Sequence, residues 1–285
     1  MTDADNLISF QGAPGANSDI ACREAYPDMT TLPCRTFQDA FRAVQSGGAK
    51  LAMIPIDNTV AGRVADIHHL LPESGRHIIG EYFLRINHQL LGLPEAELSD
   101  IKEVHSHVHA LNQCRKLIDE LGLKAIVHAD TAAAAADIAQ WRDKSKASIS
   151  TRLAADVYGL KILRSDIEDA EHNTTRFIVL SRDATEPPAE AADVITSFVF
   201  KVRNIPAALY KAMGGFATNG VNMTKLESYV GEGFVVAQFY AEVEGRPEDK
   251  GLALALEELD FFSEQVNILG VYPADPYRRV IGDGD

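Results

Sequence analysis

The sequence predicts an α/β protein in two parts: two lobes of parallel strands with a cleft between them, then a smaller βαββαβ unit. Three observations carry this prediction. Short apolar runs alternate with helical periodicities from Leu7 to Leu180, the pattern of parallel strands joined by crossover helices. A turn-rich stretch, Asp183-Ala184-Thr185-Glu186-Pro187-Pro188-Ala189-Glu190, then breaks the alternation as a linker. Beyond it the order becomes strand, helix, two strands across a glycine turn, helix and strand, which is the ferredoxin-like arrangement.

Composition bounds the function. At 285 residues the chain is long enough for two domains, with 46% hydrophobic and 24% charged residues. A formal net charge of -14 argues against nucleic-acid partners and also repels anionic ligands. An acidic ligand must then be captured by a few local cations and helix N-termini. The three cysteines, Cys22, Cys34 and Cys114, lie far apart, as in a reduced cytosolic chain. Met1 to Asp5 is acidic where a signal peptide is basic, and no apolar run approaches membrane-spanning length. A cytoplasmic protein without a membrane partner is expected.

In order, Leu7 to Phe10 reads as a strand running into Gln11-Gly12-Ala13-Pro14-Gly15-Ala16-Asn17-Ser18, with a helix through Ile20 to Tyr26. Gly12 and Gly15 could bring backbone amides to an anion, but neither nucleotide-binding glycine motif is present, and an ordinary tight turn is the plainer reading. A helix over Phe37 to Gln45 stops at Gly47-Gly48. Leu51 to Ile56 is then a continuously apolar strand that delivers Asp57-Asn58-Thr59 and Gly62 at its C-terminal end, where open α/β sheets bind ligands. The uncharged Asn58 could orient a carboxylate or hydroxyl, or have no part in a site. Val64 to Leu71 reads as a helix, and His77 to Leu93 as two apolar strands crossing into the second lobe.

Ile101 to Val104 is the next strand, leading to His105-Ser106-His107-Val108-His109. Alternate histidines on one strand face could share a metal ion. Ala110 to Leu121 is helical, however, with Leu111, Cys114, Leu117, Ile118 and Leu121 on one face, so the histidines straddle a strand-to-helix turn. Without an HExxH or neighbouring carboxylate, no metal is expected. Ser106 instead has the position of a hydroxyl at a helix entrance, near Gln113. Lys124 to Ala129 is a strand, Asp130-Thr131 caps the helix Ala132 to Trp141, and Ala147 to Ser150 is a strand. Thr151 opens a helix ending near Tyr158-Gly159, and Leu160 to Leu163 precedes an acidic loop, Asp166 to Glu171.

Asn173-Thr174-Thr175-Arg176-Phe177 follows, running into Ile178-Val179-Leu180. It sets a hydroxyl, a guanidinium and a ring where a loop enters a buried strand, at an expected hinge back to the first lobe. Such a mouth suits a site, though alone it also reads as a loop whose polar groups satisfy backbone. Past the linker, strands are expected at Ile195 to Val202, Val221 to Val230, Phe234 to Val243 and Val266 to Val271. The turn between the middle two is Gly231-Glu232-Gly233, and helices span Pro206 to Thr218 and Glu248 to Phe262. With no triad or metal spacing, this part reads as a ligand-sensing or dimerising module.

At this point the chain resembles prephenate dehydratases with a C-terminal ACT domain, over almost its full length. Phe10-Gln11-Gly12-Ala13-Pro14-Gly15 is similar to the family's glycine turn, and Pro55-Ile56-Asp57-Asn58-Thr59 to its Pro-Ile-Glu-Asn-Ser/Thr segment, with Asp for Glu. Ser106-His107 and Ala110-Leu111-Asn112-Gln113-Cys114 match its Ser-His-Pro-Gln-Ala-Leu-x-Gln-Cys stretch, with Val108-His109 for Pro-Gln. Tyr158-Gly159-Leu160 and Asn173-x-Thr175-Arg176-Phe177 complete the set; Ala16 stands where the family often has Thr or Ser.

The resemblance implies a two-lobed, periplasmic-binding-protein-like catalytic domain over residues 1–183, its second lobe at about 93–170. It further implies a linker over 184–194 and an ACT regulatory domain with a tail over 195–285. It implies conversion of prephenate to phenylpyruvate in phenylalanine biosynthesis, without cofactor or metal. Thr175, Asn58, Ser106 and Gln113 are the implied catalytic residues. Arg176, Phe177, Gly12, Gly15, Thr59 and Thr151 are implied to bind substrate, Arg176 holding the pyruvyl carboxylate. Ala207, Ala208, Leu209, Asn219, Val221, Asn222, Glu227 and Ser228 are implied to hold phenylalanine as feedback inhibitor at an interface of a dimer or tetramer. There the family's glycine is Ala207 and its arginine Tyr229. Arogenate dehydratase and a non-catalytic amino-acid sensor are the alternatives.

Overall fold

The computed structural model describes residues 3–64, 67, 70–72, 74–170, 172–203, 205–229 and 238–282. Val230, the turn Gly231-Glu232-Gly233, the start of the strand expected from Phe234, Glu171 and much of the helix expected over Val64 to Leu71 lie outside them. Within them the chain is a mixed α/β fold with three sheets. By contacts it divides into two units, Met1–Val64 with Tyr82–Phe177 and Ala65–Glu81 with Ile178–Asp285.

In the first unit β1 (Leu7–Gln11) pairs in parallel with β2 (Thr30–Cys34) and β3 (Leu51–Asn58), through helices α1 (Asn17–Ala25) and α2 (Phe37–Gln45). Sequence reading missed β2, whose Thr-Thr-Leu-Pro-Cys run is half-exposed at the sheet edge and carries a proline. The sheet has the order β2-β1-β3-β11-β5, with β4 (Gly62–Arg63) folded back on β3. β5 (His77–Arg85) and β11 (Thr174–Ser181) each run from one unit into the other.

The second sheet has the order β10-β6-β9-β7-β8, from β6 (Gln89–Gly92), β7 (Glu103–His107), β8 (Lys124–His128), β9 (Lys146–Ser150) and β10 (Lys161–Arg164). The expectation of two parallel sheets needs correction here, because β6 runs antiparallel to both β9 and β10. Three residues separate β6 from β5, and without a crossover helix nothing obliges the strand to run parallel.

The single helix expected from Ala110 to Leu121 is two, α3 (Val108–Asn112) and α4 (Arg115–Glu120). The cause is Asp169. Its amide donates to the Gln113 carbonyl (2.6 Å), while its carboxylate accepts the N–H groups of Arg115 (2.9 Å) and Lys116 (3.2 Å). One helix loses its continuation as the next gains a cap. α5 (Thr131–Trp141) and α6 (Arg152–Tyr158) start where their caps predict, Asp130 and Thr151 accepting from Ala133 and Ala154.

In the second unit β12 (Val194–Val202), α7 (Ala208–Thr218), β13 (Met223–Tyr229), β14 (Gln238–Glu244), α8 (Lys250–Phe262) and β15 (Ser263–Pro273) follow the expected βαββαβ order. The antiparallel sheet, β13-β14-β12-β15, buries Phe198, Phe200 and Phe239 against Phe216 of α7 and Leu252 and Leu259 of α8. Pro206 does not open α7. Ala207 intervenes in a left-handed conformation, φ 60°, and the helix starts after it. The linker is not a loose spacer: Arg246 donates to the carbonyls of Pro187 (3.3 Å) and Pro188 (2.6 Å).

The opposite sheet face is polar and buried. Glu242 accepts from Tyr240 (2.5 Å) and from Arg278 (3.0 Å), which also forks onto Glu81 of β5 at 2.6 and 2.8 Å. Arg278 belongs to α9 (Tyr277–Gly282), a helix in what the sequence suggested was only a tail. Both glutamate side chains are essentially without solvent contact. Arg278→Ala should therefore lower unfolding free energy by about 3–5 kcal/mol, the cost of stranding buried charges. Chemical denaturation measures it, and a loss below about 1 kcal/mol, the value of a surface pair, would refute the assignment.

Candidate active site

β3 ends where β11 begins, and the two are laced together. The Thr59 amide donates to the Thr174 carbonyl (3.0 Å), the Thr59 hydroxyl donates to the His172 carbonyl (2.6 Å), and it accepts from the Thr174 amide (2.9 Å). Side chains alternate along both strands. Asn58 and Thr175 therefore share one face, while Asp57 and Arg176 share the other.

Asn58 commits every polar atom of its side chain. Nδ2 donates to Asn173 Oδ1 (2.8 Å) and Thr175 Oγ1 (2.9 Å), and lies 3.3 Å from the Thr174 carbonyl. Oδ1 accepts the amides of Val60 (3.0 Å) and Ala61 (2.7 Å), which fixes the amide's orientation. Asn173 then donates to Gln113 Oε1 (3.0 Å), which also lies 2.9 Å from His88 Nε2. The chain His88–Gln113–Asn173–Asn58–Thr175 thus joins the second sheet to the first within one unit.

Two donors remain at its ends. Thr175 Oγ1 accepts from Asn58, so its own proton is available, with no acceptor among the described residues. The Gln113 NH2 group likewise has no partner among them. A hydroxyl hydrogen and an amide left over from a partly buried, neutral network can protonate a departing oxygen and hold a polar ligand.

Other expected residues do not join this cluster. Ser106 lies inside β7 rather than at a helix entrance, fully buried, its hydroxyl donating to the Ile149 carbonyl (2.6 Å). Arg176 faces away from Thr175; its guanidinium lies 3.7 Å from the Asp57 carboxylate and over the Phe83 ring. Strand alternation thus puts Arg176 on the strand face opposite Thr175. Phe177 is a core side chain, 1% exposed, and Thr59 holds the two strand ends together.

The glycine turn takes its plainer reading. The Gly12 amide donates to the Cys34 carbonyl and the Gly15 amide to Asp19, so neither is presented to an anion. Gly15, at φ 87°, is required by space, since a Cβ there would lie 2.7 Å from Ala154 Cα. Thr151 completes the joint by donating to the Gly15 carbonyl (2.5 Å) while capping α6. It is buried, 1% exposed.

Of the three histidines, His105 and His107 lie on β7 and His109 on α3. His105 packs edge-on against Trp141, and the rings of His107 and His109 are 5.1 Å apart. Among the described residues no group of three His, Cys, Asp or Glu side chains could hold a metal. Burial pushes the thiols of Cys22 and Cys114 well above the ordinary range, so neither is a ready nucleophile.

In the second unit the suggested regulatory residues occupy both ends of α7. Ala207 precedes the helix, with Ala208 buried and Leu209 packed on the core. Asn219 ends it, donating to the Gly215 carbonyl (2.8 Å), and Val221 and Asn222 follow. Eleven residues of helix separate Ala207 from Asn219, about 16 Å. Glu227 accepts from Lys225 (3.0 Å), and Ser228 is exposed on the edge strand β13.

Sequence reading missed His88 and gave Asn173 no role. His88 sits in a polar break, Asn87-His88-Gln89, between two apolar strands; that interruption was the available signal. Thr151→Val keeps the shape but strands a buried carbonyl and amide, so it should cost about 1–3 kcal/mol of stability. Parallel kinetics should leave KM unchanged, and a raised KM with intact stability would restore Thr151 as a ligand contact.

The comparisons with known proteins bear on this geometry. A model of the prephenate dehydratase family matches residues 8–185. A Komagataeibacter europaeus protein named bifunctional N-acyl-homoserine lactone acylase/prephenate dehydratase is 52% identical, over 97% of this chain and 99% of its own length. Arogenate dehydratase/prephenate dehydratase 1 of Arabidopsis thaliana is 36% identical, over 97% of this chain and 74% of its length. The crystal structure of prephenate dehydratase in complex with L-phenylalanine from Arthrobacter aurescens superposes with a TM-score of 0.85 at 32% identity, covering 94% of this chain and 89% of that one. With a family match across most of the chain and relatives alike over nearly all of it, this protein belongs to the prephenate dehydratase family of hydro-lyases.

Proposed function

We propose that the Thr175 cluster performs the decarboxylating dehydration of prephenate to phenylpyruvate. One observation carries this reading: Asn58 donates to Thr175 Oγ1 at 2.9 Å, leaving the threonine proton directed elsewhere. In the reaction the ring C–O bond and the bond to the ring carboxylate both break, and the ring becomes aromatic. The carboxylate's bonding electrons enter the ring, carbon dioxide leaves, and the hydroxyl departs as water once it gains a proton. Thr175 supplies that proton. A threonine hydroxyl is a weak acid, so transfer is concerted with C–O cleavage, and the Asn58 hydrogen bond strengthens as charge builds on Oγ1. Gln113, through its NH2 group, positions the ring end.

Residues 1–183 form the catalytic domain in this reading, with two lobes like a periplasmic binding protein, and the activity is cytoplasmic. Thr175→Ala should keep the fold while kcat falls by about 10²–10⁴, the range for a lost proton donor. Absorbance of phenylpyruvate follows it, with arogenate run in parallel; a kcat near the parent's would refute the role. A second reading rests on the likeness to the Komagataeibacter protein: hydrolysis of N-acyl-homoserine lactones. An acylase needs an activated nucleophile, whereas Oγ1 of Thr175 receives a hydrogen bond and its proton meets no base among the described residues. The dehydratase reading is therefore preferred, and release of homoserine lactone by the same preparation tests the other.

Residues 195–285, beyond the linker 184–194, act in this proposal as an ACT regulatory domain that binds phenylalanine, the ligand of the Arthrobacter structure. A site using both ends of α7 cannot be built within one chain, so it implies a homodimer or larger assembly. Ala207 intrudes by one methyl and sits in a left-handed conformation costing about 1 kcal/mol. Ala207→Gly should raise stability by that amount and tighten phenylalanine binding, measured by thermal denaturation and calorimetry. Unchanged affinity would remove Ala207 from the site.

A further inference from the structure

We propose that His88 is a positioning residue for this reaction, clamping the Gln113 side chain so that its NH2 group faces the ligand. The proposal rests on the Thr175 reading above for its chemistry, and on hydrogen bonding alone for its geometry. Gln113 Oε1 receives two donors. One is Asn173 Nδ2 at 3.0 Å, whose direction is fixed because Asn173 Oδ1 accepts from Asn58, itself locked by the amides of Val60 and Ala61. The other is His88 Nε2 at 2.9 Å. Since Oε1 can only accept, Nε2 must carry hydrogen.

The other ring nitrogen completes the assignment. His88 is 2% exposed, and Nδ1 has no partner. A hydrogen there would be a buried, unpaired donor, so the imidazole is the neutral Nε2–H tautomer. The nearby charges do not reverse this. The Glu168 carboxylate accepts the His88 amide (2.8 Å) and favours a charged ring, while Asp166 is engaged by Asn87 (3.1 Å) and Gln89 (3.2 Å). Burial outweighs Glu168 and holds the His88 pKa below its ordinary value.

Two donors on one amide oxygen fix which way the group faces. A flipped Gln113 would set its NH2 against the Asn173 NH2 and the His88 N–H, donor against donor. Without His88 one clamp is lost and the NH2 group wanders. His88 is not itself an acid or base in this scheme, because Gln113 and two asparagines lie between it and Thr175.

The test uses the full chain, with His88→Leu and His88→Gln, each alone and combined with Gln113→Ala, and melting temperatures to verify folding. The glutamine amide nitrogen can reach where Nε2 lay. His88→Leu should lower kcat for prephenate about 10- to 100-fold, the effect of a misplaced group, with KM little changed. His88→Gln should recover most of that loss. On the Gln113→Ala background His88→Leu should cost no more than about twofold, because the residue it acts through is gone. The kcat profile of the parent should show no limb near pH 6.5. His88→Leu with parental kcat, a glutamine variant as poor as leucine, multiplying effects in the double variant, or a limb removed by His88→Gln would each overturn the proposal. Imidazole ¹⁵N spectra should show Nε2 protonated and Nδ1 bare. That readout judges His88 even if the parent fails to turn over prephenate, a result that would sink the functional reading instead; an Nδ1–H tautomer would overturn the assignment outright.

Discussion

The candidate site depends on how one side chain amide is committed. Asn58 presents its oxygen to the turn that follows β3 and its two hydrogens to Asn173 and Thr175. Reversing that amide would strip two backbone amides of an acceptor and set an acceptor against Asn173 Oδ1. Losing two backbone hydrogen bonds and opposing two acceptors together fix the orientation. Because Asn58 donates, Thr175 accepts, and its proton must point elsewhere. The polarity of the Thr175 hydroxyl is thus set by the tight turn that follows Asn58.

Much of this was legible in the sequence, and the failures share a cause. Strands such as Leu51–Asn58 and helices such as Phe37–Gln45 lie where apolar periodicity and caps put them. Asn58, Gln113 and Thr175 converge although they are far apart in the chain. What sequence could not supply was which polar atoms are already used. Ser106, Thr151, Thr59, Gly12 and Gly15 have the chemistry of ligand contacts, yet each hydrogen-bonds to backbone or to Asp19. Arg176, next to Thr175 in sequence, faces the other side of the strand, which proximity in sequence does not convey. The break after Asn112 was hidden because its cause, Asp169, lies more than fifty residues away.

The second unit shows the same limit at larger scale. Its core follows the pattern of alternating aromatic residues on β12 and small or apolar residues on α7 and α8, and was readable. Its polar face was not, because Glu81, Glu242 and Arg278 come from three distant segments. Their pairing explains why residues 65–81 group with the C-terminal residues rather than with the strands around them in sequence. Buried charges demand partners, so the segment carrying Glu81 belongs wherever Arg278 is.

The chemical character of the cluster also bears on the reaction. Thr175, Asn58, Asn173, Gln113 and His88 are all neutral, while Arg176 lies on the other strand face, 3.7 Å from the Asp57 carboxylate. In a decarboxylating dehydration the ring carboxylate must lose its charge on the way to the transition state. A cation paired with it would stabilise the reactant more than the transition state and slow the reaction. Neutral donors carry little of that penalty. They can still serve the leaving oxygen, where negative charge accumulates rather than disperses, and there the threonine proton and the amide hydrogens act in the productive direction.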